Sequence, residues 1–305
     1  MLPSHKGSIH LFRFQGIDVW LHWSWFIFAL YRINISGAFY SSYIWSVWQY
    51  LALFAIVVFH EFGHALACRS VGGRADEIVL WPLGGVAYVD PPKRPGATLW
   101  SIAAGPLVNV LLVPIFSVCW FFANRGNLEF TQPDLYHLVV NVWVINLVLL
   151  CFNMLPIFPL DGGQILGALL WYWVGRARSL RIVSTIGIVA AGSLLLLAIM
   201  VPSFRQNPWL LVIAVFALFQ SWSGLQYARQ LVRLEAAPRH AGLACPTCGA
   251  APRVGDFWTC GRCRRPFDIF GNQGVCPACG AKFDLVRCSE CGQTHPIHAF
   301  VRGQG

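Results

Sequence analysis

Charge is what this chain has least of. Of its 305 residues, 22 are Lys or Arg and 13 are Asp or Glu, 11% together. A soluble domain carries roughly a quarter. The shortfall excludes an ordinary soluble protein, and the 56% hydrophobic content and mean hydropathy of +0.57 point to the bilayer. A secretory leader is not expected either, since residues 1–16 are polar and basic without a cleavage pattern. No internal repeat marks the apolar part. Outside the C-terminal tail the only cysteines are Cys68, Cys119 and Cys151. Each lies alone in apolar surroundings, where a thiol behaves as a small hydrophobe.

What is present is a series of apolar runs, with 14 Trp and 22 Phe to supply lipid-facing surface and interfacial belts. A span needs about 20 mostly apolar residues. Runs near 19–38, 46–68, 98–123, 137–160, 182–201 and 208–227 meet that length, the first interrupted by Arg32 and Asn34. Between the second and third lies EIVLWPLGGVAYV, residues 77–89, β-prone and too short to cross. It reads as a hairpin dipping into the membrane, which requires protein or water to satisfy its backbone. The expected fold is therefore an all-α polytopic membrane protein of about six transmembrane helices with one such β-hairpin. A small cysteine-rich domain follows, with the division at 1–238 and 239–305.

The charges suggest an orientation. Arg69, Arg74, Lys93 and Arg94 follow the second run, Arg176, Arg178 and Arg181 the fourth, and Arg229 and Arg233 the sixth. The opposite loops hold mainly Arg32, Arg125 and Arg205. The positive-inside rule then puts both termini in the cytoplasm of a multi-pass cell-membrane protein.

The second run contains VVFHEFGHALA, residues 57–67. Ionisable groups at that depth are costly and mark function by default. Positions i and i+4 share a helix face, so His60 and His64 can hold one Zn²⁺ with Glu61 beside them as general base. Catalytic zinc usually takes three protein ligands and keeps a position for water. The best third ligand is Asp161 in CFNMLPIFPLDGG, where prolines and glycines break the helix. An alternative is that Asp161 merely caps the helix that follows.

Taken together, HEFGHALACR, PLGGVA, AAGPLVNVLL and FNMLPIFPLDGGQIL resemble, in that order, the site-2 protease family of intramembrane zinc metalloproteases. The resemblance spans roughly residues 17–230. It implies zinc on His60, His64 and Asp161, with Glu61 as catalytic base. It implies that Asn153 holds the substrate or the developing oxyanion, and that Pro82, Gly84 and Gly85 line the substrate path. Asn109 also matches the family pattern and reads as packing. The regulatory PDZ or paired cystathionine-synthase-type domains common in the family have no counterpart here.

The tail offers eight cysteines in four C-x-x-C pairs: Cys245/Cys248, Cys260/Cys263, Cys276/Cys279 and Cys288/Cys291. Such pairs read as structural zinc sites in a reducing compartment, and CPTCG, CPACG and CSECG resemble zinc-ribbon knuckles. The simplest assignment gives each consecutive quartet one zinc; a cross-braced pairing stays open. The expected cofactors are thus one catalytic and two structural Zn²⁺. The expected partners are the bilayer, a transmembrane protein substrate, and a cytoplasmic regulator or substrate domain at the ribbons. The mild basic excess of the tail gives nucleic acid little support. Two further function classes remain beside the protease: a pseudoprotease scaffold that binds transmembrane partners, and a metal transporter. The first should have lost Glu61. The second should carry polar residues along several spans.

Overall fold

The structure, a computed structural model, describes residues 7–81, 84–202 and 208–301. Its chain separates into two compact units, Met1–Ala228 and Arg229–Gly305.

The first unit begins with an antiparallel pair, β1 (Ser8–Phe14) and β2 (Ile17–His22). A short helix α1 (Ser24–Ser36) leads to α2 (Tyr43–Ser70), whose N-terminus is capped by the Ser42 hydroxyl accepting from the Ile44 amide. Strands β3 (Arg74–Trp81) and β4 (Gly84–Asp90) follow. The helices α3 (Pro95–Arg125), α4 (Leu128–Thr131), α5 (Pro133–Asn153), α6 (Asp161–Val174), α7 (Arg176–Met200) and α8 (Pro208–Ala236) complete the run. Pro95 and Pro133 open α3 and α5, where a missing amide is harmless.

Among the described residues, five helices are long and apolar enough to cross a membrane: α2, α3, α5, α7 and α8 from Leu210. The expected sixth, near 19–38, divides into strand β2 and the 13-residue α1. At 1.5 Å per residue α1 is about 20 Å long, short of a 30 Å hydrocarbon core. Ile17, Val19 and Leu21 alternate inward along β2, a period of two that the apolar average conceals.

The hairpin at 77–89 is present and larger than expected. It forms half of a four-stranded sheet in the order β1-β2-β3-β4, with β2 and β3 parallel. One face packs on α2: Ile17, Val19, Leu21, Ala75, Ile78 and Leu80 bury against Phe62, Ala65 and Cys68. Arg69 fastens the end of α2 to the sheet by donating to the Gly16 carbonyl at 3.0 Å and pairing with Asp76 at 3.2 Å. Strand β4 stands at one edge of the sheet.

In the second unit each C-x-x-C pair forms the same knuckle. The amide four residues after the first cysteine donates to that cysteine's carbonyl, as Gly249 does to Cys245 and Gly280 to Cys276, both at 2.9 Å. That fourth residue has positive φ at Gly249, Gly280 and Gly292, and at Arg264 in the one knuckle without glycine. Two hairpins, β5–β6 (Trp258–Thr259, Pro266–Phe267) and β7–β8 (Leu285–Arg287, Thr294–Pro296), carry a core of Phe267, Ile269, Val286 and Phe300. Asp268 ties three loops by accepting from the amides of Gly255, Phe270 and Gly271 and pairing with His240. Burial alone would raise its pKa; those amides and the imidazole outweigh burial and hold the carboxyl below its ordinary value.

Candidate metal centre

Helix α2 is continuous through HEFGH, so His60, Glu61 and His64 share one turn and are buried, 6–8% exposed. The third group arrives from a broken chain. Helix α5 stops at Asn153, the segment through Pro156 and Pro159 turns back, and α6 starts on Asp161 itself. Leu160 occupies the N-cap position and Asp161 is the first residue of the helix proper, so Asp161 is not the N-cap that the alternative requires. The turn depends on Gly162 and Gly163. A Cβ on Gly162 would lie 2.6 Å from the Leu155 carbonyl oxygen, and one on Gly163 2.5 Å from the Phe158 nitrogen. From α8, Ser221 donates its hydroxyl to the Phe158 carbonyl at 2.5 Å and holds the same segment from outside.

Three ligand atoms converge. His60 Nε2 lies 3.1 Å from Asp161 Oδ2, His64 Nε2 3.5 Å from Asp161 Oδ1, and the two Nε2 atoms 3.1 Å apart. Ligands on a tetrahedral zinc at about 2.0–2.1 Å sit about 3.3 Å from one another. His64 Nδ1 lies 2.9 Å from the Ser101 carbonyl, which can only accept, so Nδ1 carries a proton, and in the neutral ring Nε2 is the lone pair. Asp161 Oδ2, fully buried, has no hydrogen-bond donor among the described residues although His60 Nε2 is 3.1 Å away. Close approach of acceptors without a proton between them is the arrangement a cation resolves, and His, His and carboxylate are donors zinc takes.

Helix α3 forms the wall. Gly105 faces both imidazoles, and a Cβ there would come within 2.8 Å of His60 Nε2 and closer to the His64 ring. The buried Asn109 Oδ1 meets His60 Nδ1 at 2.6 Å, and Asn109 in turn bonds Asn146 of α5. Asn109 is therefore more than packing, and Asn146 was not singled out in the sequence. Its signal was there: an amide in the middle of an apolar run.

The other candidates are placed less directly. Asn153 closes α5, half-buried, and no hydrogen bond among the described residues joins it to the trio. Gly84 and Gly85 pair with Trp81 and Leu80 at the start of β4, and Pro82 lies outside the described residues.

The tail holds two further groups, but not the consecutive quartets. Cys245, Cys248, Cys288 and Cys291 come together, and Cys260, Cys263, Cys276 and Cys279 form the other set. Sulfur–sulfur distances of 3.7 Å (Cys245–Cys291), 3.8 Å (Cys248–Cys288), 3.6 Å (Cys260–Cys279) and 3.7 Å (Cys263–Cys276) match the edge, about 3.8 Å, of a zinc tetrahedron with 2.3 Å bonds. The first knuckle joins the fourth because the tail's two ends are paired: Leu243 bridges Val301, and the Ala244 amide donates to the Phe300 carbonyl at 2.7 Å. The arrangement is nested, neither consecutive nor cross-braced.

Known proteins resemble this chain. Residues 48–126 and 126–198 match peptidase family M50. A zinc metalloprotease of Methanocaldococcus jannaschii is 33% identical over 229 residues, covering 75% of this chain and 62% of that relative. The stage IV sporulation protein FB of Bacillus subtilis is 33% identical over 121 residues, 38% of each chain. The solved site-2 protease from Methanocaldococcus jannaschii superposes with a TM-score of 0.52 at 30% identity, over 72% of this chain and 95% of that one. On motif order, ligand geometry and these likenesses together, the chain belongs to peptidase family M50, the site-2 proteases.

Proposed function

We propose that this multi-pass membrane protein is an intramembrane zinc endopeptidase that hydrolyses peptide bonds within or near transmembrane segments of other membrane proteins. The observation that carries it is the buried meeting of His60, His64 and Asp161, whose ligand atoms lie within 4.8 Å of one another. Zinc held there supplies Lewis acidity, which lowers the pKa of water toward 7 and polarises the scissile carbonyl.

The chain's own residues do the rest. Glu61, on the same turn as the two histidines, takes the proton of the attacking water as its oxygen bonds the carbonyl carbon. It then delivers that proton to the leaving nitrogen as the C–N bond breaks. Asn153 is assigned to holding the substrate or the developing oxyanion. A helical substrate shields its carbonyls in hydrogen bonds and must be unwound. Strand β4, at the edge of the sheet, offers a partner for an extended segment, and Pro82, Gly84 and Gly85 would line its path. Positive-inside bias supports a cytoplasmic position for both termini. There the ribbons, residues 239–305, would hold two structural zincs and meet a regulator or the soluble part of a substrate.

The test uses the full chain in proteoliposomes with a panel of transmembrane reporter segments. Cleavage is expected with zinc, absent after chelation and restored by zinc. It is also expected to fail in the Gly84→Pro, Gly85→Pro double variant, with zinc still bound. Cleavage that survives complete zinc removal sinks the metalloprotease reading. Cleavage that survives the prolines sinks the strand-pairing step alone.

A further inference from the structure

Asn109 and Asn146 take no part in the chemistry above, yet neither exposes any surface. Amides at membrane depth are costly unless every hydrogen bond is used. Here the bonds form a chain with one direction. It starts at the main-chain carbonyl of Asn109, which can only accept. Asn146 Nδ2 lies 3.0 Å from that oxygen and must be the donor. The Asn146 amide therefore turns its Oδ1 the other way, where it accepts from Asn109 Nδ2 at 2.9 Å. That leaves Asn109 Oδ1, an acceptor, against His60 Nδ1 at 2.6 Å. The ring must then carry a proton on Nδ1. Turning either amide over sets donor against donor or acceptor against acceptor.

The geometry points to Asn109 and Asn146 as positioning residues that lock His60 in the Nδ1–H tautomer, with the Asn109 carbonyl as fixed reference. Nε2 is thereby kept as a bare lone pair facing Asp161 and His64. The inference rests on the reading of the trio as a zinc site. Helices α2, α3 and α5 each supply one member, so the lock also sets how these helices meet. His64 reaches the same state in one step, through the Ser101 carbonyl. The consequence is specific to Asn146, which touches no ligand. Without it Asn109 is free to turn its Nδ2 toward His60. The proton then moves to Nε2 and competes with the metal.

The experiment uses the full chain in detergent and follows zinc per chain during dialysis against graded chelator, with wild type and His64→Ala as the bracket for the membrane site. Asn109→Leu and Asn146→Leu are each expected to release one zinc at tenfold to a hundredfold lower chelator than wild type. Asn109→Asp keeps an acceptor toward His60 and is expected to hold zinc close to the wild-type level. In the stripped chains, the imidazole ¹⁵N shifts of His60 should report Nδ1–H in wild type and its loss in Asn146→Leu.

Wild-type chelator resistance in Asn146→Leu overturns the lock, even with a lowered melting midpoint, because the contact is then packing alone. Asn109→Asp releasing zinc as readily as Asn109→Leu overturns it as well. Should Asn146→Leu not fold, the two Asn109 variants decide. Equal zinc in wild type and His64→Ala would count against the zinc site itself, and the ¹⁵N shifts would then judge the tautomer separately.

Discussion

Replacing Glu61 by Gln is expected to lower the cleavage rate by about two to four orders of magnitude, the usual worth of a positioned general base, while zinc stays bound. Gln has the shape of Glu and fills the same buried place on α2. It cannot take a proton from water, and it leaves His60, His64 and Asp161 untouched. The measurements are kcat on a transmembrane reporter and zinc per chain on the same preparation. A loss of rate with zinc retained separates the base from the ligands. A rate within about tenfold of wild type would assign the proton to another group. Loss of zinc along with rate would make Glu61 a structural residue of the turn.

The second large effect comes from a single methyl group on a wall residue. Gly105→Ala puts a carbon within 2.8 Å of His60 Nε2 and nearer to the His64 ring. Helices α2 and α3 meet backbone to backbone beside this contact, and moving them apart would give up that packing. A Cβ on Gly63 would lie 2.7 Å from the Ala104 carbonyl. One of the imidazoles must therefore leave its rotamer, and a histidine turned aside no longer presents Nε2. The variant is expected to lose the membrane zinc and all detectable cleavage while the ribbon zincs stay. Gly192→Ala on α7 is the control, since nothing lies within 4 Å of a Cβ there, and it should cleave as wild type does. Zinc at the wild-type level in Gly105→Ala would show that the trio is not packed as tightly as described.

These two residues mark what the sequence discloses and what it hides. The place of Glu61 could be read directly, because HEFGH sets two histidines on one helix face with a carboxylate beside them. Asp161 could be read from an acid set among helix breakers, although its distance to the histidines could not. Gly105 carries no chemistry, and its importance exists only where two helices touch. Asn109 and Asn146 lie far apart in the chain, and nothing in the periodicity of either run says that they meet. The strands β1 and β2 were missed for a different reason. Averaging over a window of span length merges an alternating strand with the short helix after it. In the tail the four knuckles are alike and their spacers similar. Which pair meets which is decided by the contact of Leu243 and Ala244 with Phe300 and Val301, a closure that spacing does not record.

Zinc per chain in purified full-length protein and in the Asp161→Ala variant tests the central claim most directly. Three metal groups with these ligand sets predict three zincs in the wild type, a count that follows from the two cysteine quartets and the trio, and two in the variant. The same zinc content in both would contradict the account, because Asp161 would then hold no metal and the meeting of α2 with α6 would not be a zinc centre.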